Sequence, residues 1–285
     1  MDLRIGEVIS QSFAMVGRRF GPLLGLWAVY LALQIAMAVV FFTVIGGSFA
    51  LAGVMGDSPF AAMGVGAILM IVLFYVAYLL LSFATSVSLT HQASPLHSPA
   101  LTQSFGAGLR SMLTLFGLLV VFFVGYFAVT LILTLLVGAL SRAGDAAAFI
   151  GVAASLVLIL YLLCRLAVVF PIIAVEGERN PLSAIARSWR LTSGNAMRIF
   201  VAMLVFFVLL VAAVGVLFLI FGGSFAAMAS NANGPGDFGA VMGGMAIFFI
   251  AFLVISALAA MISSSFMASL HAGLAPARET IATFE

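Results

Sequence analysis

Six long stretches of nearly unbroken apolar residues divide this chain: Pro22–Gly56, Phe60–Thr90, Ser111–Leu140, Ala146–Val175, Ile199–Gly222 and Phe238–Ala275. Each exceeds the about 20 residues that a helix needs to cross a bilayer. The pattern predicts an all-α integral membrane protein with six transmembrane helices. Gly56-Asp57-Ser58-Pro59, Ser141–Asp145 and Ser230–Asp237 are short and have turn composition. They tie spans 1 and 2, 3 and 4, and 5 and 6 into helical hairpins.

A related polar segment precedes each hairpin. Val8-Ile9-Ser10-Gln11-Ser12-Phe13, Ala100-Leu101-Thr102-Gln103-Ser104-Phe105 and Ala184-Ile185-Ala186-Arg187-Ser188-Trp189 each end in serine and an aromatic residue, and an arginine follows. The serines lie 92 and 84 residues apart. A period of this length predicts three copies of one unit, about 1–92, 93–176 and 177–285, within a single membrane domain over 1–285. Each segment reads as a short amphipathic helix on the cytoplasmic face. Ile5, Ile9, Phe13 and Val16 share one face of the first, and Leu101, Phe105 and Leu109 one face of the second. Leu182, Ile185 and Trp189 do so in the third. Phe13, Phe105 and Trp189 are the expected interfacial anchors, with arginines left at the lipid phosphates. Packing on protein instead of lipid is the alternative use of such helices. Ser98-Pro99 and Asn180-Pro181 each offer an N-cap followed by proline at the first helical position, and Gly194-Asn195 a stop.

Composition removes whole classes of function. The chain is 65% hydrophobic and 7% charged, against about 25% charged in a soluble domain. The longest polar connection, Glu176 to Arg198, is too short for a folded domain, so no soluble catalytic domain is expected. All 11 basic residues are arginine, which excludes a P-loop lysine or a Schiff base. Their scatter excludes a nucleic-acid surface. Nine of them (Arg4, Arg18, Arg19, Arg110, Arg179, Arg187, Arg190, Arg198 and Arg278) fall on one set of connections. The positive-inside rule then puts both termini in the cytoplasm of a bacterial inner membrane. Glu7, Arg18 and Arg19 interrupt the first twenty residues, so no cleavable signal is expected. Cys164 is the single cysteine, which rules out an internal disulfide.

The run Arg165-Leu-Ala-Val-Val-Phe-Pro171-Ile-Ile-Ala-Val-Glu176, continued by Pro181-Leu-Ser-Ala-Ile-Ala-Arg187-Ser188-Trp189-Arg190-Leu191-Thr192-Ser-Gly194-Asn195, resembles the bacterial glycerophosphodiester phosphodiesterase membrane-domain family and related stand-alone inner-membrane proteins. The resemblance implies a membrane domain that in some members is fused to a phosphodiesterase barrel. No such barrel is expected within these 285 residues, so the resemblance brings no hydrolase activity with it.

Within the spans, Arg165 is the one basic residue, eleven positions before Glu176 and about 16 Å from it along a straight helix. An ionisable residue at such depth is a candidate site. Arg165, with Arg187, Arg190 and Arg198, is a candidate contact for an anionic ligand or lipid head. A snorkelling anchor, or a partner of Glu176 or Glu178, is the structural alternative. Pro171 removes the donor for the Ala167 carbonyl and predicts a kink. Glu176 and Glu178 form a membrane-edge cluster that reads as a turn ion-paired to Arg187 or Arg190. His91 and His271 end spans 2 and 6 without ligand-spaced partners, so neither a metal nor a cofactor is expected. Ser82, Thr85, Ser86 and Ser88, like Ser263, Ser264, Ser265 and Ser269, form hydroxyl tracks suited to helix packing, as do Gly21/Gly25, Gly151/Ser155 and Gly239/Gly243. Gln34 is a candidate interhelical hydrogen-bonder. No acidic residue lies mid-span, which argues against an ion-coupled pump.

Three functions follow. The first is a non-enzymatic scaffold or accessory subunit, paired with another membrane protein or with itself. The second is a transport or binding module for a lipid or anionic amphiphile. The last is an intramembrane hydrolase, weakened by the lack of any evident base–nucleophile pair.

Overall fold

The computed structural model describes residues 5–54, 65–231 and 238–275. Arg4, Arg278, Asp57 and Asp237 lie outside the described residues. So do the Gly56–Pro59 turn and Asn233, Gly234 and Pro235 of the last turn. The described residues form α1 (Ile5–Arg18), α2 (Phe20–Val54), α3 (Val65–Ala93), α4 (Leu101–Arg110), α5 (Met112–Ser141), α6 (Asp145–Leu166) and α7 (Val169–Pro171). A π-helical turn, Ile172–Glu176, leads on to α8 (Pro181–Leu191), α9 (Ala196–Asn231) and α10 (Phe238–Leu274). There is no strand among them, and six helices are long and apolar enough to cross a membrane. The longest, α10, has 37 residues, about 55 Å at 1.5 Å per residue, and so exceeds a hydrocarbon core of about 30 Å.

Helix α2 packs against α3, α5 against α6, and α9 against α10. Among these, α3, α7 with the π turn, and α10 also touch one another and form the interior, while α5 stays peripheral. The buried core gathers at the end that carries α1, α4 and α8. Val87, Leu89, Val169, Ile172, Met261, Phe266 and Leu270 are all at most 1% exposed. Away from that end, most described side chains of the spans face outward, where apolar surface is stable only against lipid or another apolar partner.

The three short helices dock on one another's neighbours in a closed order. Helix α4 packs on α3, α8 on α6, α7 and the π turn, and α1 on α10, the last span of the chain. Each docking face centres on a buried serine; its companions are small in α4 and α8, while α1 adds the larger Val8 and Met15. Val8, Ser12 and Met15 are buried in α1, Ser104 and Gly108 in α4, and Ala184 and Ser188 in α8. Ser12, Ser104 and Ser188 all have 0% exposure. The apolar stripes expected at the lipid interface lie largely on the outer side, with Ile5, Ile9 and Ile185 partly packed against the core. Phe13, Leu101, Leu109, Leu182 and Trp189 are exposed, and Phe105 is half-buried with its ring 5.3 Å from Tyr30. The physical reason is distance: only small side chains let a helix backbone approach a span closely.

Two local expectations need correction. Ser98-Pro99 does not cap α4; the helix starts two residues later, with Ala100 as N-cap, and the Gln103 side chain accepts the Ala100 N–H. Ser98 instead accepts a bond from Arg19. Gly21 and Gly25 meet no neighbour, whereas a Cβ on Gly151 would lie 2.8 Å from Leu140 Cδ1, so only the latter sits at a helix contact. At α8 the cap is as expected. The Asn180 side chain accepts from Leu182 N and Ser183 N, with Pro181 at the first position.

Candidate functional site

The fourth span does not run straight to Glu176. Pro171 offers no N–H to the Ala167 carbonyl, and the helix breaks at Ala167–Val168, where Val168 adopts φ −100 and ψ 13. Beyond the break, Val168, Val169, Pro171, Ile172, Ile173 and Ala174 are buried within the bundle. The about 16 Å straight-helix spacing of Arg165 from Glu176 therefore does not describe this segment. Arg165 ends the outer part of the span, beside α8, and the segment that follows enters the core.

There the Arg165 guanidinium lies against two rings in edge contact with each other, with its carbon 5.1 Å from the Tyr161 centroid and 4.9 Å from that of Trp189. Its Nε donates to Tyr161 Oη at 2.9 Å and an Nη to the Trp189 carbonyl at 3.2 Å. The Arg165 carbonyl accepts from Ser188 Oγ at 2.7 Å. Tyr161 is one turn before Arg165, and Trp189 follows the buried Ser188, so local spacing builds the arrangement. Each ring contact contributes about 0.5–1 kcal/mol at such an exposed place. Tyr161 also lines an apolar cavity of about 420 Å³ between α6 and α9, with Leu160, Cys164, Met197 and Phe200. Neither Glu176 nor Glu178 pairs with Arg165.

Glu176 instead ties three elements together. Its Oε2 accepts from Arg187 Nε at 3.2 Å, and its Oε1 accepts from His271 Nε2 at 2.9 Å. His271 is 1% exposed, and its Nδ1 is buried without a partner. A lone pair is cheaper to bury unpartnered than an N–H, which fits the Nε2–H form of the ring. Glu178 stays at the surface, where its carboxylate accepts the Asn180 N–H at 3.1 Å. That bond, then one from Ser183, holds its carboxyl below the ordinary value. The four candidate arginines are not gathered: Arg187 serves Glu176, Arg165 lies beside Trp189, and Arg190 and Arg198 are exposed.

Gly177 closes the π turn at φ +69. An L side chain in this region costs about 1–2 kcal/mol. Gly177→Ala should therefore lower the thermal midpoint of the purified protein by a few degrees; an unchanged midpoint would contradict the assignment.

Two side chains mattered more than the sequence indicated. Arg19, expected only as a topology marker, donates to the carbonyls of Gln92, Ser94 and His97 and to Ser98 Oγ at 2.6–3.1 Å. It thereby satisfies the end of α3. Burial, then the charge of Arg19, holds His97 below its ordinary pKa. The fold also joins His91 Nδ1 to Ser104 Oγ at 3.0 Å, a base–hydroxyl pair that is not evident from the sequence. Ser104 is fully buried and gives its proton to Gln92 Oε1 at 2.7 Å, so His91 donates to the serine and does not act as its base. Among the hydroxyl tracks, Ser88 bonds Tyr30 Oη at 2.8 Å, and Gln34 reaches Ser82 at 3.5 Å. No group of three metal-ligating side chains occurs among the described residues.

No curated protein and no solved structure matches the chain. Residues 144–280, from the start of α6 through α10, match the family described as the membrane domain of glycerophosphoryl diester phosphodiesterase, and this segment holds both the Arg165 and the Glu176 arrangements.

Proposed function

We propose that the protein is a non-enzymatic, multi-pass module of the bacterial inner membrane that holds a lipid or other anionic amphiphile. The observation that carries this reading is the apolar cavity between α6 and α9, whose wall residue Tyr161 accepts a hydrogen bond from Arg165. An acyl chain fits the cavity walls, and an anionic head group fits the guanidinium, whose ring contacts leave it donors to spare. The family description, naming a glycerophosphoryl diester, adds a phosphate-bearing chemistry that such an arginine suits.

The scaffold or accessory role stands second, because outward apolar surface serves lipid as readily as a protein partner. An intramembrane hydrolase stands last, since the Ser104–His91 pair has its proton direction reversed. The arginine distribution supports cytoplasmic termini. Buried Ser12, Ser104 and Ser188 at the docking faces of α1, α4 and α8 support three repeated units of amphipathic helix and hairpin.

The test is retention of phosphatidylglycerol by the purified protein in mixed-lipid nanodiscs, read by native mass spectrometry. Arg165→Gln should lower the bound anionic lipid about tenfold, the worth of one charge-assisted hydrogen bond, with a fall in thermal midpoint of a few degrees from the lost ring contacts. Equal retention by the two proteins would sink the reading.

A further inference from the structure

A second cavity, of about 600 Å³, lies between the end of α3 and the outward face of α4. This volume falls within the about 300–1,000 Å³ of small-molecule sites. Its walls differ in kind from those of the α6–α9 cavity: His91, His97, Thr102, Gln103 and Arg110 line it. On α4, Thr102, Gln103, Gly106, Ala107 and Arg110 share one face at helical spacing, and the two small residues in the middle leave room. A Cβ on Gly106 would meet nothing within 4 Å.

The charge is one-sided. No carboxylate among the described residues lines the cavity. Glu176 adjoins the lining residue Val175, but its two oxygens are engaged by Arg187 and His271. Arg110 is exposed at one end and has no ion pair or hydrogen bond among the described residues. The first turn of α4, with its positive helix end, forms the other. Behind the wall, Arg19 is fixed on the His97 carbonyl and Ser98. Because His91 Nδ1 donates to Ser104, the neutral ring keeps its Nε2 lone pair as an acceptor. The site thus offers a cation for an anion, an acceptor for a hydroxyl, and few apolar walls for a chain.

We propose that this cavity binds a soluble phosphate ester of a polyol, with the phosphate toward Arg110 and the hydroxyls toward His91 and Thr102. This goes beyond the amphiphile reading and does not rest on it. The smallest suitable probe is glycerol 3-phosphate, titrated calorimetrically into the full chain in detergent. Wild type should show saturable binding, tighter than for inorganic phosphate. Arg110→Gln should weaken it about tenfold or more. Gly106→Leu should abolish it by filling the cavity, with an unchanged thermal midpoint, and Arg165→Gln should leave it intact. The proposal is overturned by absent saturable binding, by wild-type affinity in both the Arg110→Gln and Gly106→Leu proteins, or by binding of phosphatidic acid in nanodiscs with none of the soluble ester.

Discussion

Gly108→Ala should be the most damaging single methyl that can be added to this protein. Helix α4 crosses α3 closely at this glycine. A Cβ there would lie 2.7 Å from the Ala84 carbonyl oxygen and would overlap both Ser88 Oγ and Tyr30 Oη. The two hydroxyls form a buried hydrogen bond with each other at 2.8 Å, and Tyr30 is 0% exposed. Neither can swing away into open space, and the carbonyl belongs to a helix backbone. The methyl must therefore push α4 off α3 or break the Tyr30–Ser88 bond. Overpacking costs about 1–3 kcal/mol, and a lost buried hydrogen bond about 1 kcal/mol more. A drop in thermal midpoint of several degrees in detergent is expected, with a smaller drop when Tyr30→Phe is combined with it. If Gly108→Ala melts with the wild type, the close crossing of α4 on α3 is wrong.

The second large effect is expected at Glu176. Glu176→Leu strips the carboxylate from a buried histidine and a part-buried arginine at once. Removing one partner of a fully buried pair costs about 3–5 kcal/mol. Here the glutamate and arginine side chains keep 23% exposure, so solvent screening lowers the figure to about 2–3 kcal/mol. Glu176→Gln should be milder toward His271, since an amide oxygen still accepts the Nε2–H, but it loses the ion pair to Arg187. A double-mutant cycle with His271→Leu measures the coupling. Expected is a double variant more stable than the sum of the two single losses predicts; strict additivity would mean that the two side chains do not act together.

Much of the architecture is legible from the chain alone because bilayer solvation imposes a simple rule. A segment that must satisfy its own backbone hydrogen bonds in hydrocarbon is a long apolar helix, so hydropathy and length place the six candidate spans. Capping chemistry is equally local, as at Asn180-Pro181, where a side chain acts two and three residues away. The faces of the short helices are less local. Period 3.6 identifies the apolar stripe of α4 but does not say whether Leu101 and Leu109 or Ser104 and Gly108 meet the protein. That depends on how near the α3 backbone comes.

The site divides in the same way. The composition of the chain singles out Arg165 and Pro171, since an intramembrane cation and a helix-breaking proline are each recognisable alone. The partners of those residues are not recognisable alone. Tyr161 and Trp189 both contact Arg165 only because the span breaks at Ala167–Val168 and α8 returns beside it. Glu176 meets His271, 95 residues away, and Arg19 reaches the end of α3 across more than 70 residues. The sequence by itself determined an all-helical chain with six membrane-length spans and three amphipathic segments, because hydrophobicity and backbone hydrogen bonding are properties of short runs. Only the tertiary structure decided which polar groups share a site, because hydrogen bonds and charge pairs act over a few ångströms and the chain brings distant residues that close only when it is folded.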